Sequence, residues 1–175
     1  SVSAFLLNRS SDLSLKHVHS HTFSALESST YDVKVREENG AAKIFDVLRQ
    51  RFVALTPEEW VRQHFVQFLL TTHGYSPTLM ANEVSLTLNG MSRRCDTVVY
   101  GQQLRPRIII EYKRPTVEIT QRVFNQICRY NIVMHVDYLI VSNGLQHYCC
   151  RMDYNHQSYT FLHDIPPYRD VVGGV

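Results

Sequence analysis

Hydrophobic and polar residues alternate along much of the chain, and this pattern predicts that strands make up most of its secondary structure. Residues 31–55 alternate with a period of two on both sides of Asn39-Gly40, a dipeptide typical of a two-residue hairpin turn. Further along, the pattern predicts three strands, one helix and three more strands, in the segments LMANEVSLTL, RRCDTVVY, RIIIEYK, TQRVFNQICRYNIVMH, DYLIVS, QHYCCRM and SYTFLH.

One segment, TPEEWVRQHFVQFLLTTHG, has the signals of a helix. Thr56 is placed to cap its N-terminus, Pro57 fits the first helical position, and Glu59 completes a capping box. Gly74 fits the end of the helix. Large side chains recur at helical spacing, and we expect its buried side to contain Trp60, Val61, His64, Phe65, Phe68 and Leu69.

Residues 1–30 are rich in serine and histidine and show little periodicity, so we expect them to form an arm or extension. His17, His19 and His21 would share one face of an extended segment and could bind a metal, although a solvated tail is the simpler interpretation. Residues 31–170 are then expected to form a single domain, since a chain of 175 residues is long enough to bury one core.

Composition narrows the class of protein. The formal net charge is only +2, so any basic surface must come from local clustering. No apolar run is long enough to cross a bilayer, so we expect no membrane partner. The four cysteines lack C-x-x-C spacing, which argues against a disulfide framework or a zinc site of thiolates. A reducing, cytoplasmic location is expected.

The turns also predict which polar residues face each other. Asn89-Gly90 fixes the register of one pair of strands and places Glu83 opposite Asp96. Closing the next hairpin around the loop at residues 101–106 places Asp96 opposite Glu111. The expected result is a row of three carboxylates across three adjacent strands.

Lys113 shares the strand face of Glu111, and Arg94 is expected opposite Lys113. Like charges that face each other destabilise a sheet, and Mg²⁺ can relieve the repulsion because it takes carboxylate oxygens as ligands. A neighbouring lysine can then stabilise negative charge on a phosphate. The alternative is a surface network of ion pairs. The row of three favours a magnesium site.

Asp96, the triplet Glu111-Tyr112-Lys113 and the pair Gln126 and Tyr130 resemble the PD-(D/E)XK nuclease superfamily, in its RecB-like branch. Over about residues 31–168 the chain is similar to the N-terminal nuclease domain of type I restriction enzyme R subunits. The segments that carry this similarity are IFDVLRQRFVALTPEEWVRQHF, RRCDTVVY, IIIEYKRP, FNQICRYN and YLIVSNGLQHYC.

The resemblance implies an α+β (α/β) fold with a restriction-endonuclease-like core. Its central mixed sheet follows the order helix, three antiparallel strands, helix, strand, and is flanked by helices. Cys95 replaces the proline of the superfamily motif, and the chain contains no G-x-x-x-x-G-K-[ST] loop. We therefore expect either a stand-alone relative or a domain that works with separate motor or specificity subunits; a homodimer is a further expectation.

The resemblance also implies residue roles. The catalytic residues would be Asp96, Glu111 and Lys113, and the metal would be held by Asp96, Glu111 and the backbone carbonyl of Tyr112. The strand register adds Glu83 to the metal ligands, and Glu59 is a weaker candidate. Residues that would orient the site or bind nucleic acid are Gln126, Tyr130, Arg94 and Arg114, with a packed surface pair as the alternative for Gln126 and Tyr130. Mg²⁺ is the expected cofactor, and Mn²⁺ should substitute.

The predicted function is that of a Mg²⁺-dependent endodeoxyribonuclease acting on double- or single-stranded DNA. Residues 93–129 contain eight lysines and arginines but only three acidic residues, so phosphates could be neutralised locally. Two alternatives remain open: a catalytically inactive nucleic-acid-binding or assembly module on the same fold, and a protein-interaction domain.

Overall fold

A computed structural model describes residues 21–22 and 31–173. His21–Thr22 form strand β1, and the rest of the predicted arm at residues 1–30, including His17 and His19, lies outside the described residues. No helix in the described ranges is long and apolar enough to cross a membrane.

A three-stranded antiparallel sheet comes first, formed by β2 (Val35–Glu38), β3 (Ala41–Asp46) and β4 (Arg51–Ala54). Glu38 pairs with Ala41, which confirms the Asn39-Gly40 turn. Helix α1 (Pro57–Thr72) follows, and its first turn is capped because the Glu59 amide donates to the Thr56 Oγ1 at 3.0 Å. The helix therefore begins where the sequence predicts.

The remaining described elements form the main sheet and its helices. They are β5 (Met80–Leu88), β6 (Met91–Tyr100), β7 (Pro106–Tyr112), α2 (Gln121–Met134), β8 (Tyr138–Ser142), β9 (Gln146–Asp153), β10 (Ser158–Leu162) and α3 (Tyr168–Gly173). The spatial order is β1-β9-β8-β7-β6-β5, with β10 also paired to β9. Only the β7–β8 pair among these is parallel, and α2 makes the crossover between its strands. The mixed α+β content agrees with the predicted class.

The two longer helices cover opposite faces of this sheet. Phe65 and Leu69 of α1 share a core cluster with Ile108 and Ile110 of β7. Residues of α2 share a second cluster with Ile109, which points the other way because side chains alternate along a strand. The prediction that Trp60 lies in the core is wrong: it is 41% exposed, because it sits in the first turn of α1, where its ring packs on His64 at 4.0 Å between ring centres and leaves the rest of the side chain in solvent.

The β5–β6 register is the predicted one on both sides of Glu83, from Met80 opposite Val99 to Leu88 opposite Met91. The β6–β7 prediction is correct only in part. Thr97 pairs with Ile110 as expected, but the register shifts between Val99 and Tyr100, so that Tyr100 pairs with Pro106 instead of Arg107. The long loop allows this shift because it does not fix the pairing at its ends.

Simple alternation fails in the middle of β5. Met80 packs on the α1 side of the sheet, whereas Val84, Leu86 and Leu88 pack on the α2 side, although all four positions are even. Glu83 lies between these two stretches with φ of 60°, the left-handed backbone conformation. This residue therefore inverts the strand and turns its two halves toward opposite layers.

Candidate active site

The end of β7 brings Glu111, Tyr112 and Lys113 to the rim of the sheet. The Ile108–Ile110 run is fully buried, and Glu111 is still only 6% exposed. The Lys113 Nζ donates a hydrogen bond to the Glu111 Oε1 at 2.9 Å. A core strand thus delivers a buried carboxylate with an ammonium group directly beside it.

Asp96 lies where β6 and β7 part. The last ladder pair is Thr97 with Ile110, and beyond it the Tyr112 backbone amide donates to the Asp96 Oδ2 at 2.8 Å. A side-chain oxygen thus replaces the main chain of β6 as the partner of β7. This bond brings Asp96 beside the Glu111–Lys113 pair, although Asp96 and Glu111 do not form a ladder pair.

The buried carboxylates of this region hold protons more strongly than usual. Burial, followed by the charge of Asp96, raises the pKa of Glu111 to about 7 despite the nearby Lys113. Burial also raises the pKa of Asp96, although Arg62 and the Tyr112 amide act against it. Burial therefore disfavours the ionised form of both carboxylates, and the neighbouring cations do not fully offset this effect.

Glu58, and not Glu59, is the α1 carboxylate that faces this centre. Burial and the charge of Asp96 raise the pKa of Glu58, and Lys113 acts against them. The Glu59 Oε1 instead accepts hydrogen bonds from the Gln63 Nε2 at 2.8 Å and the Arg49 Nη2 at 3.2 Å. The structure thus does not support the sequence-based candidate Glu59 as an extra metal ligand.

Both carboxylate oxygens of Glu83 are also paired with arginines. Its Oε1 accepts from the Arg62 Nη1 at 2.5 Å, and its Oε2 pairs with the Arg94 Nε. The structure therefore does not support Glu83 as a metal ligand. The expected row of carboxylates is found only in part: the register on both sides of Glu83 places it across from Asp96, but Arg62 contacts both carboxylates, and Asp96 and Glu111 are not a ladder pair.

The predicted nucleic-acid residues lie on three different elements: β6, the loop after β7, and α2. Arg94 pairs across the ladder with Ser85, so the expected position opposite Lys113 is wrong, since the β6–β7 ladder ends before it. Arg114 is exposed in the loop after β7. On α2 the Gln126 Nε2 lies 3.5 Å from the Tyr130 hydroxyl, so that pair forms a surface contact.

Arg62 is a central residue that the sequence pattern did not single out. It is 3% exposed, and its Nη2 donates to the Asp96 Oδ1 at 3.1 Å. Burial lowers the pKa of Arg62, but the charges of Asp96, Glu59 and Glu83 raise it by more, so the side chain stays charged.

The sequence did contain a signal for Arg62. Glu58, Arg62, Phe65 and Leu69 share one helical stripe, so two charged residues interrupt a buried face.

The donor atoms at this rim suit a hard divalent cation. Within residues 21–22 and 31–173, no group of three or more His, Cys, Asp or Glu side chains is arranged to hold a metal ion. Asp96 and Glu111 nevertheless offer two carboxylates and Tyr112 a main-chain carbonyl, and Mg²⁺ commonly binds one or two carboxylates and keeps several waters. The nearby Cys95 thiol is neutral, since burial, Glu111 and Asp96 raise its pKa to about 12.

Comparison with known proteins identifies a family for the chain. No curated protein sequence matches the chain significantly. One family profile does match, that of the type I restriction enzyme R protein N terminus (HSDR_N), over residues 57–166. This range begins at α1 and runs through β10, so it includes every residue of the candidate active site. Because the match covers more than half of the sequence, the chain belongs to the family of type I restriction enzyme R protein N termini.

Proposed function

We propose that the protein is a metal-dependent phosphodiester hydrolase, a DNA nuclease with a PD-(D/E)XK active site that uses Mg²⁺ or Mn²⁺. One observation carries this proposal: Asp96 and the Glu111–Lys113 ion pair meet at one end of the sheet, linked by the bond from the Tyr112 amide to Asp96. Membership of the restriction enzyme family supports the choice of DNA as the substrate.

Asp96, Glu111 and the carbonyl of Tyr112 would hold the metal. When bound, a divalent cation supplies positive charge to the phosphate and makes a coordinated water more acidic. The raised pKa of Glu111, about 7, supports a cation at this position, because positive charge there would stabilise the ionised form that burial disfavours. Glu58 lies in the surroundings of this centre and adds negative charge to it.

Lys113 has two roles in the proposed reaction. Its ammonium group donates a hydrogen bond to Glu111 in the structure, and the charge of Glu111 raises the pKa of Lys113 despite burial, so the group stays protonated. During hydrolysis it would donate a hydrogen bond to a phosphate oxygen, where negative charge builds up. A water oxygen forms a bond to phosphorus and gives up one proton to the solvent, the bond to the leaving oxygen breaks, and that oxygen takes up a proton from the solvent.

The exposed face of α2 is suited to phosphate contacts. Helix α2 contains no aspartate or glutamate, and Arg122 and Arg129 are exposed on it together with Gln121 and Gln126. Arg114 is exposed in the loop that joins Lys113 to this helix. Exposed cations on this helix and loop can neutralise the DNA backbone even though the net charge of the chain is small.

The test is cleavage of plasmid and linear DNA with Mg²⁺ or Mn²⁺. We expect Asp96→Asn and Lys113→Ala to reduce the cleavage rate by about 100-fold or more, because each removes a group at the reacting phosphate. Arg169→Ala, which removes an exposed arginine of α3, is the control and should cut at the wild-type rate. Wild-type protein that binds DNA in a salt-sensitive way but never cuts it would instead indicate a nucleic-acid-binding module.

A further inference from the structure

A buried guanidinium group lies on one side of the candidate centre. Arg62 extends from α1 and is almost completely enclosed. Its Nη1 donates to the Glu83 Oε1 at 2.5 Å and lies 3.4 Å from the Glu59 Oε2, and its Nη2 donates to the Asp96 Oδ1 at 3.1 Å. The guanidinium carbon lies 5.7 Å from the ring centre of Tyr112. One cation therefore contacts three carboxylates.

The backbone is adapted to this contact. Among the described residues, Glu83 is the only one inside a strand with a left-handed φ; the other non-glycine residues with positive φ lie in turns, in a short 3₁₀ segment or at the end of a helix. That conformation costs a side-chain-bearing residue about 1–2 kcal/mol. Ion pairs from Arg62 and Arg94 hold both carboxylate oxygens of Glu83, which compensates for this cost.

Two carboxylates near each other can be bridged by a metal ion or by a guanidinium group, since both present positive charge to oxygen atoms. Between Asp96 and Glu83 the bridge is Arg62, which makes charge-assisted hydrogen bonds to both. A divalent cation at the same place would have to displace a buried, hydrogen-bonded guanidinium group and leave it without partners, which is strongly unfavourable.

We propose that Arg62 is a positioning residue that takes the place of a second metal ion and restricts the centre to one divalent cation, on the Asp96–Glu111 side. This inference rests on the proposed metal site. Arg62 holds the Asp96 Oδ1 while the Tyr112 amide holds the Oδ2, so the carboxylate has a fixed orientation before any metal binds. Glu83 anchors Arg62 and stays outside the metal coordination sphere.

The test is the number of Mn²⁺ ions bound per chain, measured by titration with electron paramagnetic resonance detection of free Mn²⁺. We expect one ion for the wild type and for Arg62→Lys, which keeps the positive charge. Arg62→Met leaves Glu83 and Asp96 unbalanced, so we expect it to bind a second ion, and Arg62→Met with Glu83→Gln should return to one. Arg107→Met is the matched control, because Arg107 pairs with Asp137, which lies outside the centre; it should bind one ion.

The possible outcomes separate the two proposals. Two ions in the wild type, or one ion with unchanged affinity in Arg62→Met, would overturn the role of Arg62. If Arg62→Met folds only in the presence of Mn²⁺, the role is supported, because the metal then replaces the missing cation. If that variant does not fold at all, the number of Mn²⁺ ions bound to the wild type and to Glu83→Gln decides. One ion in each supports the role of Arg62, and two ions in either overturn it. No Mn²⁺ bound to the wild type would refute the proposed metal-dependent function itself.

Discussion

The two sides of the candidate active site balance their charge differently. On the Asp96–Glu83 side, a buried arginine contacts both carboxylates, and Arg94 adds a second guanidinium group at Glu83. On the Glu111–Glu58 side, Lys113 is the cation whose charge acts on both carboxylates of that side. The carboxylates of the first side are contacted by two arginines, whereas the ion pair of Glu111 on the second side is made with a lysine.

This difference indicates how a fold can prepare for a metal without enclosing it. On one side, Arg62 fixes the position of Asp96. On the other, the raised pKa of Glu111, about 7, marks the place where further positive charge would be most stabilising. The asymmetry also explains why the four neighbouring acidic residues, Glu58, Glu83, Asp96 and Glu111, do not form a larger metal cluster. Arg62 contacts two of them, Glu83 and Asp96. Variants of paired carboxylates can test the asymmetry directly.

The largest expected effect comes from comparing Glu111→Gln with Glu83→Gln. Glu111→Gln removes a proposed ligand and should weaken Mn²⁺ binding about 100-fold or more. Glu83→Gln should change it less than about threefold. Residues that hold a metal ligand in place typically change metal affinity about 10- to 100-fold, so the loss in Glu111→Gln should lie at or above this range and the change in Glu83→Gln below it. Calorimetric titration measures both affinities. Thermal unfolding is the control for folding, and metal-free Glu111→Gln should be at least as stable as the wild type because a buried like charge is gone. Equal losses of Mn²⁺ affinity in the two variants would show that the two sides of the site do not differ.

A second pair of variants separates Glu58 from its neighbour Glu59. Glu58→Gln should weaken Mn²⁺ binding about tenfold, because it removes charge from the surroundings of the metal. Glu59→Gln should leave Mn²⁺ affinity unchanged and lower the free energy of unfolding by about 1–2 kcal/mol, because Arg49 and Gln63 lose a charged acceptor. Urea unfolding measures the second quantity. The opposite pattern, with Glu59 affecting the metal, would show that the first turn of α1 had been assigned wrongly.

The sequence predicted the start of α1, the strands of the main sheet from β5 to β10 and one register, because each has a local chemical cause; it predicted neither α3 nor β1. Asn89-Gly90 closes a hairpin of defined length, so the pairing of β5 with β6 follows from the turn alone. The loop at residues 101–106 has no such fixed geometry, and a shift beside Tyr100 absorbed one residue. The expected neighbourhood of Asp96 and Glu111 was still correct, because the shift lies at the other end of the strands.

The parts of the site that the sequence did not predict depend on long-range packing. Glu59 fits a capping box, so local rules favour it over Glu58, but only the docking of α1 on the sheet shows which carboxylate faces Asp96. Glu83 fits a strand by alternation, and nothing local predicts that a glutamate adopts a left-handed backbone. Both become understandable once Arg62 is placed between the helix and the sheet.

The smallest expected effect is a pH dependence that belongs to the Glu111 side. Because the pKa of Glu111 is raised to about 7 from an ordinary value of 4.5, the folded metal-free protein keeps a proton that the unfolded chain loses, and this group's contribution to stability falls as pH rises between those values. A metal ion competes with the same proton, so Mn²⁺ affinity should rise by up to about tenfold between pH 5.5 and 6.5 and level off above pH 7.

The measurement is the difference between wild type and Glu111→Gln, taken by calorimetric titration for Mn²⁺ and by thermal unfolding without metal. The difference is needed because buried His147, whose pKa burial lowers to about 3, makes the fold more stable as pH rises toward 6.5 and so acts in the opposite direction. Glu111→Gln should unfold with a weaker downward trend in stability and bind Mn²⁺ with a flatter pH profile. Identical profiles in the two proteins would mean that Glu111 is already balanced by Lys113, and the two sides of the site would then be alike.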